Sequence, residues 1–249
     1  MIEVLKTDFI KLFRYKSTYV ALFFFVSMAH GTGSILVRGV GEVWVDTTVV
    51  YNWFQFENIG ILLGGFVVSP LVNNILIWDR EDKILFSNNN FNKNKIFATK
   101  ILLITIIISV LVLLRVIWVT VHVAYLMEVK ILNFGKMIPL INYFFRTLLR
   151  NLTLMSTYLL INLFIKNKAI YYIVCFCSEQ LIVRIVIIIF SKFFLFLRNL
   201  DKIMYYSWDY MQLNGIETVF WIDNCVIIGV VCMVLAFKGW NKKISNWGN

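Results

Sequence analysis

Histidine, cysteine and acid are all scarce in this chain, and each scarcity closes off a class of chemistry. Two histidines, four cysteines and 14 acidic residues stand among 249. Two histidines are too few for a catalyst built on imidazole pairs. No glycine-rich loop of the GxxxxGK[ST] kind occurs, so any nucleotide-driven energy source lies on another chain. Cys175, Cys177, Cys225 and Cys232 all fall inside apolar runs, away from outer loops where disulfides form. They read as small buried apolar residues. Cys175 and Cys177 have soft-metal spacing but no further ligand near them in sequence, so neither a metal site nor a bound cofactor is expected. The composition of a soluble domain is also missing. The chain is 60% hydrophobic with a mean hydropathy of +0.77, which describes an integral membrane protein. Its net charge of +10 fits cytoplasmic loops facing anionic lipid, with no nucleic-acid role.

At about 20 residues per crossing, the chain holds six spans and no sizeable soluble domain. Residues 2–16 place Ile2, Leu5, Phe9, Leu12 and Phe13 at helical spacing, with Glu3, Lys6, Lys11 and Arg14 off that stripe, as in a helix lying on the inner membrane surface. A cleaved secretory signal ending near Ser27, Met28 and Ala29 is the rival reading. The long basic segment with its own apolar face, containing Glu3 and Asp8, favours the uncleaved helix. The expected fold is therefore all-α: a polytopic membrane protein whose six transmembrane helices follow an N-terminal amphipathic interfacial helix. The spans fall at about 18–37, 53–78, 101–127, 147–165, 169–193 and 220–237, in a single membrane-spanning domain. Gly60 and Gly64 in the second span permit close helix approach, and Pro70 favours a kink in its inner part.

With both termini inside, 14 basic residues lie on inner segments. Eight lie on outer segments and span ends: Arg38, Lys130, Lys136, Arg146, Arg150, Lys192, Arg198 and Lys202. That bias favours cytoplasmic termini. Three ionisable residues sit deep within spans, where charge is costly and marks function by default: Arg115, Glu179 and Arg184. At a rise of 1.5 Å per residue, Arg115 and Arg184 lie about 22 Å from the inner ends of their spans and Glu179 about 15 Å. Glu179 with Arg115, across two helices, is the expected pair. It serves either as a structural ion pair or as part of a translocation path.

The most polar segment runs from Asp79 to Lys100 and opens with Asp79, Arg80, Glu81, Asp82, Lys83, Ile84, Leu85 and Phe86. Mixed charge around a short apolar core between two spans suits docking of a soluble partner, or simply a solvated loop. The surface helix, the proline-bearing second span ending in VVSPLVNNILIWDREDK, the acidic stretch followed by Lys100 at the head of the third span, and four further spans together resemble the permease subunit of type 2 ABC exporters in its small bacterial form. The stretch departs from that family in lacking its glycine followed by threonine or serine, with Lys83 to Asn90 in their place.

The resemblance implies a coupling helix at about Arg80 to Asn90 that docks on a separate ABC ATPase, which carries the ATP and magnesium. It also implies a second permease chain and residence in the bacterial cell membrane. The substrate would be an amphipathic peptide of the lantibiotic or bacteriocin type, or a drug. An intramembrane hydrolase lacks support, because Glu179 has no paired glutamate and Arg184 breaks the EExxxR spacing. A non-transporting scaffold or sensor subunit would use the same polar segment.

Overall fold

The computed structural model describes residues 2–23, 25–26, 67–76, 93–126, 138–165, 167–180, 213 and 215–245. Among the described residues every regular element is helical and none is a strand. The elements are α1 (Ile2–Leu12), α2 over 16–23 and 25–26, α3 (Ser69–Leu76), α4 (Lys93–Leu126), α5 (Ile138–Phe164), α6 (Lys168–Gln180) and α7 (Ile216–Ser245). The remainder of the expected spans, 27–37, 53–66 and 181–193, lies outside the described residues.

Local chemistry accounts for several helix starts. Of the chain's two prolines, Pro139 stands at the second position of α5, where a missing N–H is tolerated. A wider π-type turn at Val67 and Val68 leads into Pro70, so the expected irregularity in this region falls just before the proline. The Asn167 side chain accepts from the backbone N–H groups of Ala169 at 2.9 Å and Ile170 at 3.4 Å, capping α6. Gly215, at φ 53°, turns the chain into α7.

Helix α5 is the centre, with α3, α4, α6 and α7 all packed against it and α7 most extensively. Arg146 reaches Leu213 and Thr218, Thr153 reaches Cys225, and Gly239 faces Leu163, so α5 and α7 run parallel. Thr105 meets Met155, while Ile108 to Val112 lie beside Asn151, so α4 is antiparallel to α5. The same comparison makes α3 parallel to α5, through Val67 beside Asn151 and Asn73 bonded to Asn162. It makes α2 antiparallel to α3, through Ser17 at Asn74 and Phe25 beside Val67. Directions thus alternate from α2 to α7. One end of the bundle collects the exposed cations Lys16, Lys95, Lys168, Lys238 and Lys242; at the other, α7 begins with exposed Glu217 and Asp223.

Polarity is distributed inside out. Leu102, Ile106, Val110, Leu113, Ile117 and Val121 form an exposed apolar stripe along α4, whereas Ile104, Ile108, Val112 and Arg115 face inward. Two helical segments, Asn94–Trp118 and Ile216–Lys242, are long and apolar enough to cross a membrane, and their most apolar windows are only 33% and 17% buried. A soluble core helix would hide such windows. Hydroxyls and an amide in the bundle bond their own helix: Ser109 to the Thr105 carbonyl at 2.8 Å, Asn151 to Thr147 at 2.7 Å, Ser156 to Leu152 at 3.0 Å.

On the N-terminal helix and the turn after it Leu12 is buried, Phe9 and Phe13 are 47% and 40% exposed, and Asp8 and Lys11 are buried. A buried cation on α4, described below, draws Asp8 inward. Arg146 and Arg150, expected on outer segments or span ends, are buried side chains of α5. Helix α5 starts at Ile138, nine residues before the expected boundary at 147, so both arginines lie well within it and are buried. A hydropathy window stops at charges, whereas the helix runs through them because its inner face accommodates them.

The α5–α7 contact is tight at Gly229, where an added Cβ would lie 3.7 Å from the Thr153 hydroxyl. Gly229→Ala is expected to leave the thermal midpoint in detergent unchanged or raised. Gly229→Leu is expected to lower stability by about 1–3 kcal/mol through overpacking. A leucine variant as stable as the parent would contradict this contact.

Candidate functional site

The eight-residue α3 is buried along nearly its whole length, although it carries Ser69, Asn73 and Asn74. Both asparagine side chains and the Ser69 carbonyl have partners on other helices. The Asn74 amide donates to Ser17 Oγ and Thr18 Oγ1, both at 2.9 Å, and Ser17 Oγ donates back to Asn74 Oδ1 at 3.1 Å. Asn73 donates to the Tyr172 hydroxyl at 2.9 Å and accepts from the Asn162 amide at 3.1 Å. Tyr171 donates to the Ser69 carbonyl at 3.2 Å. These bonds tie α3 to α2, α5 and α6 in an apolar surrounding, where buried polar networks fix a single arrangement.

The C-terminal end of α3 is held by charge. Lys100 Nζ donates to Asp8 Oδ1 at 2.9 Å and to the Ile75 carbonyl at 3.0 Å, with the two side chains only 2% and 3% exposed. One ammonium therefore joins α1, α3 and α4, and a cation at the last carbonyls of a helix also complements its dipole. Residues 77–92 lie outside the described residues; Lys100, two turns into α4, ties α4 to the last described turn of α3.

Toward the other end, three guanidiniums are buried: Arg115 on α4, Arg146 and Arg150 on α5. Val112, about one turn before Arg115, lines the same small cavity as Asn151, about one turn after Thr147. Arg146 donates to the Leu213 carbonyl at 3.1 Å, to Thr218 Oγ1 at 3.3 Å and to Asn142 Oδ1 at 3.2 Å. It thereby fastens the start of α7 to α5. Thr218 also donates to the Leu213 carbonyl at 2.7 Å.

Of the residues singled out in the sequence, Arg115 is buried on the inward face of α4 and Pro70 opens α3. Glu179 lies on the helical backbone of α6, and its side chain is outside the described residues, as are Arg184, Gly60, Gly64 and Asp79 to Phe86. The expected Glu179–Arg115 pair therefore lies outside them too. Sequence reasoning missed Asp8, Arg146, Arg150 and the amides of α3. A signal for the arginines was present: Arg146, Arg150 and Asn151 with Thr147, Tyr158 and Asn162 recur at helical spacing in an otherwise apolar run, marking a polar stripe that must face inward. Cys175, Cys225 and Cys232 are not in disulfides. No protein-family model matches the chain, and no curated protein matches its sequence.

Removing one member of the Asp8–Lys100 pair strands the other in an apolar site, at a cost of about 3–5 kcal/mol. Asp8→Asn and Lys100→Met should each lower the unfolding midpoint in detergent strongly. The Asp8→Leu, Lys100→Met double variant should recover much of that loss, because neither charge remains buried. Strictly additive losses would show that the pair does not interact.

Proposed function

We propose that this chain is the membrane-spanning permease subunit of an ATP-driven exporter of the type 2 ABC kind. It crosses the bacterial cell membrane six times with both termini in the cytoplasm, pairs with a second permease chain, and moves an amphipathic substrate outward. ATP and magnesium belong to a separate ATPase. The observation that carries this reading is the Lys100 junction. The mixed-charge sequence 77–92 separates α3 from α4, two helices that share one buried cation with the N-terminal helix.

A segment meant to transmit force requires such stiff attachment. Push on 77–92 passes to α3 through the Ile75 carbonyl and to α4 through its own continuation, and from α3 to α2, α5 and α6 through the asparagine network. Alternating helix directions, and the gathering of lysines at the end of the bundle where α4 begins, support a cytoplasmic position for the sequence between α3 and α4. The exposed apolar faces of α4 and α7 support contact with lipid. The buried tier of Arg115, Arg146 and Arg150 lies at the opposite end of the bundle, which suits a structural or substrate-matching role away from the motor.

Charge reversal by Glu81→Lys with Asp82→Lys is expected to abolish co-purification of an ATPase while leaving the amount of protein in the membrane unchanged. Undiminished co-purification, or the absence of any nucleotide-hydrolysing protein with the parent chain, would defeat the exporter reading and leave a scaffold or sensor subunit.

A further inference from the structure

Between α4 and α7, on the outer surface, lies an apolar groove of about 610 Å³. Its walls include Ala98, Ile101 and Thr105 from α4 and Met233, Val234 and Phe237 from α7. Its floor is stiff. The Phe97 ring packs on Phe237 at 5.5 Å and on Trp240 at 5.1 Å between centroids, and Phe97 and Trp240 are buried. Charge occurs at one end only, where Asn94 and Lys238 border the groove and exposed Lys95 and Lys242 stand close by in sequence on the same two helices. That end belongs to the lysine-rich end of the bundle. From Asn94 to Thr105 the groove extends about 17 Å along α4, roughly half of a hydrocarbon core about 30 Å thick.

We infer that this groove is a binding site for one anionic phospholipid of the lysine-side leaflet, with an acyl chain between α4 and α7 and the phosphate at Lys238 and Asn94. Three features select this occupant. The apolar length matches a single leaflet, the cations sit where a headgroup would lie, and their sign matches an anionic headgroup. Basic clefts between membrane helices at the cytoplasmic side recognise such headgroups by the same chemistry. A helix from a second copy would need apolar or small contacts along its whole length, and it would leave the lysines at this end without complementary charge. The inference requires that the chain cross a membrane and is independent of any ATPase partner.

The test uses the full chain in nanodiscs or mixed micelles containing equal phosphatidylglycerol and phosphatidylcholine, with retained lipid measured by native mass spectrometry. The parent should retain phosphatidylglycerol in preference. Lys238→Gln with Lys95→Gln should reduce that retention by about fivefold per lysine and leave phosphatidylcholine unchanged. Ala98→Trp, which fills the groove from an exposed position, should reduce retention of both lipids. Equal retention of the two lipids by the parent would overturn the inference, as would phosphatidylglycerol retention that neither variant alters. An Ala98→Trp variant that loses a dimer while keeping its lipid would assign the groove to a second copy of the chain. Because no ATPase enters the measurement, these results stand apart from the fate of the exporter reading.

Discussion

A lysine ammonium withdrawn from water is tolerated only where a counter-charge and a further acceptor meet it. Lys100 satisfies that condition by drawing on three helices at once. Its need explains why Asp8 turns inward on α1 against the pattern of that helix's apolar residues, and why Phe9 and Phe13 are left facing out. It also supplies a donor to the Ile75 carbonyl in the last described turn of α3.

The remainder of the bundle repeats the principle with neutral groups. Apolar side chains are plentiful enough to cover the outside as well as the inside, so burial of hydrocarbon alone does not single out one packing. Polar groups do. Asn73, Asn74, Thr153 and Arg146 each have partners on another element, and Thr153 bridges to the Cys225 carbonyl at 3.1 Å where Gly229 lets α7 come close. In surroundings that offer few competing partners, a mispaired amide or guanidinium loses its bond outright. The polar seam along α5 therefore selects register, and the apolar surfaces supply the bulk contact.

Much of this was legible in advance, and the boundary of what was not is physically informative. Long apolar runs announced α4 and α7, and the shortage of acids against lysines announced a cationic end. Arg115 was recognisable as a buried charge because nothing polar flanks it. Arg146 and Arg150 escaped because they cluster with Asn142, Thr147 and Asn151, and that local concentration of polarity resembles a loop to any averaged measure. Asp8 escaped for a different reason. Its partner is 92 positions away, and no local periodicity encodes a contact of that range. The asparagines of α3 look like the start of a polar connection, and only their partners on α2, α5 and α6 reveal them as interior.

The distance in sequence between Asp8 and Lys100 bears on how the molecule is made. Ribosomes add about 5–20 residues per second, so the first helix emerges about 5–20 s before its counter-ion exists. During that interval the aspartate has only water or lipid headgroups for company, and α1 is free to rest on the bilayer through Phe9 and Phe13. Docking of the amino terminus is thus a closing event in biogenesis, executed after α4 has inserted, and a chain stalled before that point would carry its first helix unfastened.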